Sequence, residues 1–344
     1  NVCIWRGGDC KEVRQIETSA SNTLKLMIYL HEGYMHIQVT IDEKHDKAGD
    51  ECLNHVGFRN GREAKEQMGD LSIEEVNDVE KFRSLRESWN TLLRESSDNN
   101  IFLTWEWLFL WWQHYGAGKK LRILIIKESG KIIGIAPFMQ SKYRKGIISV
   151  NVMENICSTK GCDYNGIILA EKKHESMAIL LDYLEKIIRD SNIIVRISHI
   201  PENSSFLTVL REQYPTFPNS LFLSERLVSS CPYIELPPTW EEYLHTFKKK
   251  RRGNIRRLMQ SLQENHEVEI KKYSGDDNLR EQLQVLFELH QRRWQASSIG
   301  KIFTKPETRE FYVDVSEVFH QNNWLDMSFL HIDGKPVSVC WGFI

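Results

Sequence analysis

The sequence predicts a mixed α/β (α+β) fold made of two similar lobes in tandem. Two helical patterns precede a β-hairpin in each half of the chain, and the first hairpin coincides with the second when it is shifted by 204 positions. The length of 344 residues also fits two domains, which usually contain about 100–200 residues each. A helix–helix–hairpin unit that is used twice predicts two similar lobes packed together.

The composition excludes several classes of protein. Hydrophobic residues make up 41% of the chain, which is enough for packed cores and outside the disordered range. The net charge of −2 argues against a dedicated polyanion binder, and we expect no DNA partner, although a local basic patch fits within that balance. The longest apolar run, 101–112, is too short for a membrane span, which needs about 20 residues. We therefore expect no transmembrane segment.

The seven cysteines and twelve histidines show no metal-binding pattern. Cys157 and Cys162 have no second cysteine pair nearby, so the spacing of a zinc ribbon is absent. Together with Cys340 they lie in or beside apolar, strand-like stretches, where a reduced cysteine behaves as a small hydrophobic residue. We expect structural thiols, no metal and a reducing, cytoplasmic location.

Residues 1–67 differ from the rest of the chain, because they contain one plausible strand, 35–41, and no sustained helical periodicity. They are interpreted as an N-terminal extension outside the main fold or as an extra hairpin packed on the first domain. The first lobe is predicted over 68–229. From residue 201 onward it is predicted to be an irregular connection that contains one strand. Its predicted elements are an opening segment at 71–76, helices at 78–96 and 104–114, hairpin strands at 121–127 and 132–138, strands at 147–152 and 164–169 around a polar loop, a helix at 176–189, and strands at 193–200 and 221–227.

The helix predicted over 104–114 carries five large aromatic side chains. Such a density either lines a ligand groove or forms core, and both interpretations remain open at this point. Whichever holds, the helix belongs to the pair that precedes the first hairpin.

The second lobe is predicted over 230–344. Thr239 and Glu242 form a capping box at the start of a helix that runs to about Asn265. The Asp333-Gly334 pair between two alternating apolar strands is the strongest short-range hairpin signal in the chain. The other predicted elements are a strand at 268–273, helices at 277–296 and 306–321, and hairpin strands at 325–332 and 335–344.

The two hairpins give the main evidence for duplication. Gly130-Lys131 in the first turn coincides with Gly334-Lys335 in the second, and so do the inward-facing positions of both strands. Chance similarity is the alternative, since any two hairpins share alternation. The coinciding inward positions are Leu121, Ile123, Ile125, Ile133 and Ile135 in the first hairpin and Leu325, Met327, Phe329, Val337 and Val339 in the second.

Several short motifs follow one another in order along the chain. They are FLTWEWLFLWW at 102–112, IAPF at 135–138, CDY at 162–164, CPYIEL at 231–236, KKRRGNIRR at 249–257, LHQRRW at 289–294 and DGKPV at 333–337. Through these motifs, residues 70–344 resemble the GNAT acyltransferase superfamily, and in particular the acetyltransferase-like family of the cellulose-biosynthesis CelD proteins and BioF-like acetyltransferase domains. The resemblance implies two tandem GNAT-like lobes, similar in layout to the Fem-type aminoacyl transferases.

The resemblance also implies an acyl-CoA-dependent N- or O-acyltransferase. Its co-substrate would be acetyl-CoA or another acyl-CoA, and its acceptor a saccharide or another small amine or hydroxyl compound of surface polysaccharide or envelope biosynthesis. Such chemistry needs a base, donors for the oxyanion and a cradle for the CoA pyrophosphate. A Fem-type enzyme that uses aminoacyl-tRNA is one alternative, and a non-catalytic module that binds an anionic polymer or a partner protein is another.

The chain departs from the GNAT pattern at Ile344, where it stops on the second strand of the second hairpin. The strand and phosphate-binding turn that follow in the family pattern are not included. The equivalent region of the first half, 144–146, lacks spaced glycines. We therefore expect an incomplete second lobe and, for that reason, an inactive fragment of the enzyme.

Seven of the ten residues from Lys248 to Arg257 are basic. On a helix they form either an electropositive wall or an ordinary solvated face. A wall would bind a CoA 3′-phosphate, a nucleotide-sugar, a lipid-linked saccharide or a tRNA backbone. Gly253 costs the helix about 1 kcal/mol relative to alanine, which close approach of a phosphate or another helix would offset. The candidate anion-binding residues are Lys250, Arg251, Arg252 and Asn254.

Five residues supply the other site candidates. His290, Arg293 and Trp294 share one helical face, where His290 would be the general base near neutral pH. Arg293 would hold an anionic group and Trp294 would wall the pocket. Asp163 and Tyr164 would supply a carboxylate base and a phenolic acid for the leaving thiolate. The alternatives are a buried, hydrogen-bonded histidine with a packed tryptophan, and a simple turn at the start of a strand.

Overall fold

The described residues form a mixed α/β structure, which confirms the predicted fold class. The computed structural model describes residues 34–41, 70–145, 148–191, 193–213, 221–227, 234–275, 278–295 and 298–344. Of these, the residues up to 227 belong to one compact unit, the N-terminal unit, and those from 234 onward belong to another, the C-terminal unit. The predicted lobe boundary between 229 and 230 lies outside the described residues.

The N-terminal unit is built on an eight-stranded mixed sheet. Its strands are β1 (Tyr34–Ile41), β2 (Leu71–Val76), β3 (Lys120–Glu128), β4 (Lys131–Lys145), β5 (Ile148–Asn155), β6 (Ile168–Leu169), β7 (Ile193–Pro201) and β8 (Leu221–Leu227). Their order is β2-β3-β4-β5-β7-β1-β8, and β6 also pairs with β4. Neighbouring strands are antiparallel except for β5 and β7, which are parallel. Strand β1, from the segment predicted to be an extension, thus lies within the sheet between β7 and β8.

The helices of the N-terminal unit differ from the prediction in two places. They are α1 (Val79–Ser84), α2 (Arg86–Glu95), α3 (Trp105–Tyr115), α4 (Lys173–Ser191) and α5 (Ser205–Gln213). The single helix predicted over 78–96 is two helices, which meet at Leu85. The sequence indicated no helix at α5, because two turns within a stretch rich in proline and serine give only a weak periodic signal. Five of the six large aromatic rings of α3 are buried, so this helix forms core.

The prediction of a strand over 164–169 is confirmed only for the last two residues, which form β6. The Asn165 N–H donates to the carbonyl oxygen of His199 in β7 at 2.7 Å, and the Asn155 side chain at the end of β5 donates to the Gly166 carbonyl oxygen at 3.3 Å. These groups bond to strand ends and to a side chain, so they do not take part in a regular ladder. The segment is therefore a loop tied to the parallel pair β5 and β7.

The C-terminal unit is built on a three-stranded antiparallel sheet. Its elements are α6 (Trp240–His245), α7 (Lys249–Asn265), β9 (Val268–Lys272), α8 (Leu279–Arg293), α9 (Pro306–Gln321), β10 (Leu325–Ile332) and β11 (Lys335–Phe343), and the strand order is β11-β10-β9. The N-cap predicted at Thr239 is confirmed, since its side chain accepts from the Glu242 N–H at 3.2 Å. The helix that it opens is short, and a second helix begins at Lys249. No helix of the described ranges has the length and apolarity to cross a bilayer.

The two hairpins share one register. Every Cα pairing between β3 and β4 from Leu121 to Glu128 recurs 204 positions later between β10 and β11. Both ladders are irregular at the equivalent step, directly after Ile126 and directly after Leu330. Strand β9 also lies against β10 in the register in which β2 lies against β3. The correspondence predicted from the sequence is thus present in the backbone and extends to a third strand.

The two sheets differ in how their faces are covered. In the N-terminal unit, α4 packs on the face that carries Leu124 and Ile126, and both side chains are fully buried. The equivalent face of the C-terminal sheet carries Ile270 and Val337, whose side chains are 75% and 45% exposed. The opposite face of that sheet is buried core and includes Phe329. Among the described residues, the C-terminal sheet is therefore covered on one side.

Candidate active site

His290 lies in the last turn of α8 and is half-buried. Its ring meets Phe303 edge-on, with 4.8 Å between the ring centroids. The Nδ1 atom is buried and has no hydrogen-bond partner among the residues that the structure describes. Burial lowers the pKa of His290 below its ordinary value of 6.5, so the imidazole is neutral at pH 7. A neutral imidazole is able to accept a proton, but the Nδ1 atom itself is enclosed and out of reach of a substrate.

The rings behind His290 form a continuous aromatic cluster. Phe303 lies 4.7 Å from Phe287 and 5.0 Å from Tyr312 between ring centroids. Tyr312 in turn lies 4.9 Å from Trp341 of β11. Rings packed at these distances hold one another in place but leave the polar nitrogen of the imidazole unsatisfied. His290 is therefore packed as a structural histidine would be, but its Nδ1 atom lacks the hydrogen bond expected for that role.

Arg293 and Trp294 lie with His290 at the C-terminal end of α8, as the shared helical face predicts. Trp294 is the C-cap residue, and its N–H donates to the His290 carbonyl oxygen at 3.1 Å. The Arg293 guanidinium lies over the Trp294 ring, 5.6 Å from its centroid. Arg293 is exposed and forms no ion pair with any acidic side chain in the described part of the chain. Its charge is thus available to an anionic group beside His290.

Asp163 and Tyr164 belong to the N-terminal unit, in the loop between β5 and β6. Asp163 is exposed, yet partial desolvation of its carboxyl raises the pKa above its ordinary value of 3.8. No described residue forms a hydrogen bond or an ion pair with the Asp163 side chain. The Tyr164 ring lies 6.1 Å from the Phe102 ring between centroids. The two candidates are neighbours in one loop, in a different unit from His290.

A buried polar cluster in the N-terminal unit escaped the sequence analysis. Glu154 of β5 is fully buried and forms an ion pair with Arg196 of β7. Ser141 donates to its Oε1 atom at 2.5 Å, and the Tyr143 hydroxyl donates to the same atom at 3.3 Å. These donors occupy the carboxylate, which favours a structural role over proton transfer. The only sequence signal was an acidic residue within an apolar strand pattern.

The buried cysteines fit the predicted structural role. The Trp107 Nε1 atom donates to Cys157 Sγ at 3.4 Å, and burial raises the pKa of Cys162. A buried thiol with a raised pKa stays protonated and unreactive. Cys340 differs from the prediction, because its side chain is exposed on β11. Within the described ranges, no group of three or more His, Cys, Asp or Glu side chains is arranged to hold a metal ion.

Helix α7 has no buried residue, and Lys250, Arg251 and Arg257 lie on one side of it. We call this side the cationic face, and it lines an open depression of about 740 Å³ with Lys248, Lys250, Arg251, Gly253, Asn254 and Arg257. Arg252 is turned away from the depression and donates to the Phe247 carbonyl oxygen at 3.5 Å. Three of the four predicted anion-binding residues therefore line the cationic face, and Arg252 does not.

The charges of the cationic face have few partners. Arg257 donates to Asn254 at 2.8 Å, and the Arg251 guanidinium lies over the Phe247 ring at 4.7 Å. The first turn of α7 contains no acidic residue, although cations at the positive end of a helix dipole are unfavourable by about 0.3–1 kcal/mol each. A Cβ atom added at Gly253 would meet nothing within 4 Å. In the described structure, no helix makes the close approach that the sequence suggested for this glycine, and an anion has room there.

Known structures resemble this chain at low identity. FemX is 11% identical with a TM-score of 0.44, and the match covers 75% of this chain and 57% of FemX. A conserved protein of unknown function from Bacteroides thetaiotaomicron is 14% identical with a TM-score of 0.37, and the match covers 78% of this chain and 75% of that protein. A GCN5-related N-acetyltransferase from Anabaena variabilis is 9% identical with a TM-score of 0.29, over 58% of this chain and 40% of that protein.

The chain thus spans little more than half the length of FemX. None of the curated proteins matches it. Residues 249–344 match the family model of the GNAT acetyltransferase domain. This match includes α7, His290 and the second hairpin, and it supports an acyl-transfer function for the C-terminal unit.

Proposed function

We propose that the chain is an acyl-CoA-dependent acyltransferase that modifies an amine or hydroxyl group of a saccharide or another small acceptor. The observation that carries this proposal is the match of residues 249–344 to the GNAT acetyltransferase domain. We assign the reaction to surface polysaccharide or envelope biosynthesis and to the cytoplasm, where acyl-CoA is available.

In the proposed reaction, the acceptor nitrogen or oxygen attacks the thioester carbonyl carbon of acyl-CoA. A new C–N or C–O bond forms, the C–S bond breaks, and CoA leaves as a thiolate. The acceptor loses one proton, and the thiolate finally takes up one proton, so charge and atoms balance. A general base is therefore required at the attacking atom.

His290 is the proposed general base. Its neutral imidazole supports this role, because a base must be unprotonated at the working pH. Arg293, exposed at the same end of α8, is proposed to hold an anionic group of a substrate. Trp294 would wall the site, and the cations of α7 would hold a further anionic partner. Asp163 and Tyr164 stay candidates for a base and an acid supplied by the N-terminal unit.

Thermal unfolding of a protein extended beyond Ile344, with and without acetyl-CoA, tests the proposal. A ligand at about 100 times its dissociation constant stabilises the folded state by roughly 2.7 kcal/mol, which raises the melting temperature. The matched control is acetate with phosphate at the same ionic strength, which should cause no shift. Release of free CoA thiol in the presence of amino sugars then tests turnover. No shift at millimolar acetyl-CoA would contradict acyl-CoA dependence, and a shift without thiol release would favour a non-catalytic binding module.

A further inference from the structure

The region around α7 combines unneutralised charge with exposed apolar side chains. Residues 248–257 contain seven basic and no acidic residues, while the whole chain has a net charge of −2. Among the described residues, only Arg256 of this group forms an ion pair, with Glu241 of α6. About six positive charges thus lie on three helical turns without an acidic partner. The positive potential is local, because the rest of the chain is acidic.

Exposed apolar side chains lie next to these charges. Leu258 is 56% exposed and lies one turn after Asn254 and two turns after Arg251, on the same side of α7. Met259 is 43% exposed at the next position, about 100° further round the helix. Trp240, the first residue of α6, is 50% exposed. Each of these side chains would release water if it entered an apolar phase.

The two properties together restrict the kind of partner. Cations alone fit any polyanion, including RNA, whose backbone is bound through charge. Leu258 and Met259 gain nothing from contact with a phosphodiester backbone, but they gain free energy when they enter the boundary between lipid headgroups and acyl chains. Basic helices with an apolar edge are typical of segments that lie on anionic membranes.

We propose that α7 binds the surface of a bilayer that contains anionic lipids. Lys250, Arg251 and Arg257 would contact the lipid phosphates, and Leu258, on the same side of the helix, would enter the headgroup boundary. The helix would lie along the surface without crossing it. This inference identifies an anionic membrane as the partner of the cationic face. It rests on the proposed function in one respect, since a membrane would present a lipid-linked acceptor to the transferase.

Vesicle flotation with the full chain tests the inference. We expect the protein to float with vesicles that contain 30% phosphatidylglycerol and not with pure phosphatidylcholine vesicles, and binding to weaken as salt is raised, because salt screens surface charge. The double variant Arg251→Ala/Arg257→Ala should lower the partition coefficient by about tenfold or more. The variant Leu258→Ser/Met259→Ser keeps every charge and should lower it by about fivefold.

Matched control variants lie on β9 in the same unit. Lys271→Ala/Lys272→Ala removes two exposed cations, and Ile270→Ser removes an exposed aliphatic side chain, so neither should change flotation by more than about twofold. Equal losses in the α7 and β9 variants would overturn the assignment to α7. Unchanged binding in Leu258→Ser/Met259→Ser, or binding to a mixed RNA pool without binding to vesicles, would overturn a membrane partner in favour of a purely electrostatic one.

The thermal response to acetyl-CoA, measured on the protein extended beyond Ile344, separates the two proposals. An acetyl-CoA shift without flotation overturns the membrane inference and leaves the acyltransferase standing. Flotation without an acetyl-CoA shift overturns the acyltransferase and leaves the membrane inference standing. All four α7 substitutions are at exposed positions, so circular dichroism should show folded variants and keep both results interpretable.

Discussion

Ser129 and Asp333 occupy the same position in two turns that lie 204 residues apart, and both have a left-handed backbone, with φ values of 46° and 52°. The main-chain N–H of each residue donates to a residue outside its own hairpin. The acceptor directly precedes the third strand of the same sheet, which is β2 in the N-terminal unit and β9 in the C-terminal unit. Ser129 donates to the Asp70 carbonyl oxygen at 3.3 Å, and Asp333 donates to the Glu267 carbonyl oxygen at 2.9 Å. The turns therefore fix the third strand as well as the hairpin in each unit.

The glycines that follow these residues should be equally sensitive to substitution. Gly130 and Gly334 have φ values of 85° and 74°, where a Cβ atom is strained although it would meet no neighbour. Gly130→Ala and Gly334→Ala should each reduce the free energy of unfolding by about 1–2 kcal/mol, measured by chemical denaturation. Gly253→Ala is the control, and it should stabilise α7 by about 1 kcal/mol because this glycine is helical and has open space. A loss of stability in only one of the variants Gly130→Ala and Gly334→Ala would contradict the equivalence of the two hairpin turns.

His290 should make stability depend on pH in a defined direction. Its pKa in the folded state is lower than 6.5, so the unfolded chain binds more protons between those two values. Stability is then complete above about pH 6.5 and falls as the pH drops through that window. His290→Gln removes this titration, so the fall in stability below pH 6.5 should become shallower in melting curves. If His290 is also the base, the variant lowers the acyl-transfer rate and leaves the acetyl-CoA melting shift unchanged.

Glu154 should be among the most sensitive positions of the N-terminal unit. Glu154→Ala leaves the Arg196 guanidinium without its partner in a partly buried site, and we expect a loss of about 3 kcal/mol in the free energy of unfolding. The double variant Glu154→Leu/Arg196→Leu should lose less than the single one, because no charge is left unpaired. Glu80→Ala is the exposed control, since the ion pair of Glu80 with Arg83 at 3.1 Å is worth less than about 1 kcal/mol. Equal losses of unfolding free energy in Glu154→Ala and Glu80→Ala would argue against a buried network at Glu154.

The cysteines should differ in reactivity. Cys340 is exposed, whereas Cys157 and Cys162 are buried and burial raises the pKa of Cys162. Iodoacetamide should therefore label Cys340 in the native protein and the buried pair only after unfolding, as measured by mass spectrometry of peptides. Rapid native labelling of Cys157 or Cys162 would contradict the buried, structural role.

Features with a local cause could be predicted from the sequence. The hairpin turn at Asp333-Gly334 and the N-cap at Thr239 depend on residues close to one another in the chain. The break at Leu85 could not be predicted, since the apolar stripe continues across it. The pair of Glu154 with Arg196 was also out of reach, because it depends on two parallel strands that are distant in the sequence.

In the candidate site, too, features with a local cause could be predicted from the sequence and features that depend on tertiary packing could not. The spacing of His290, Arg293 and Trp294 indicates one helical face, and the structure brings these residues together at the end of α8. Whether the imidazole has a hydrogen-bond partner depends on tertiary packing against Phe303, which no periodicity reveals. Arg252, by contrast, is two residues from both Lys250 and Asn254, so helical periodicity alone places it away from the cationic face.

The matching two-residue turns also bear on how the chain folds. Because β3 meets β4, and β10 meets β11, across a very short loop, each pair closes with little loss of chain entropy. The pairing of Tyr34 with Pro201 must instead close most of the N-terminal unit, and such non-local contacts form slowly. We expect the hairpins to be the early nuclei of their respective units, and the edge of the large sheet formed by β1 and β8 to assemble last.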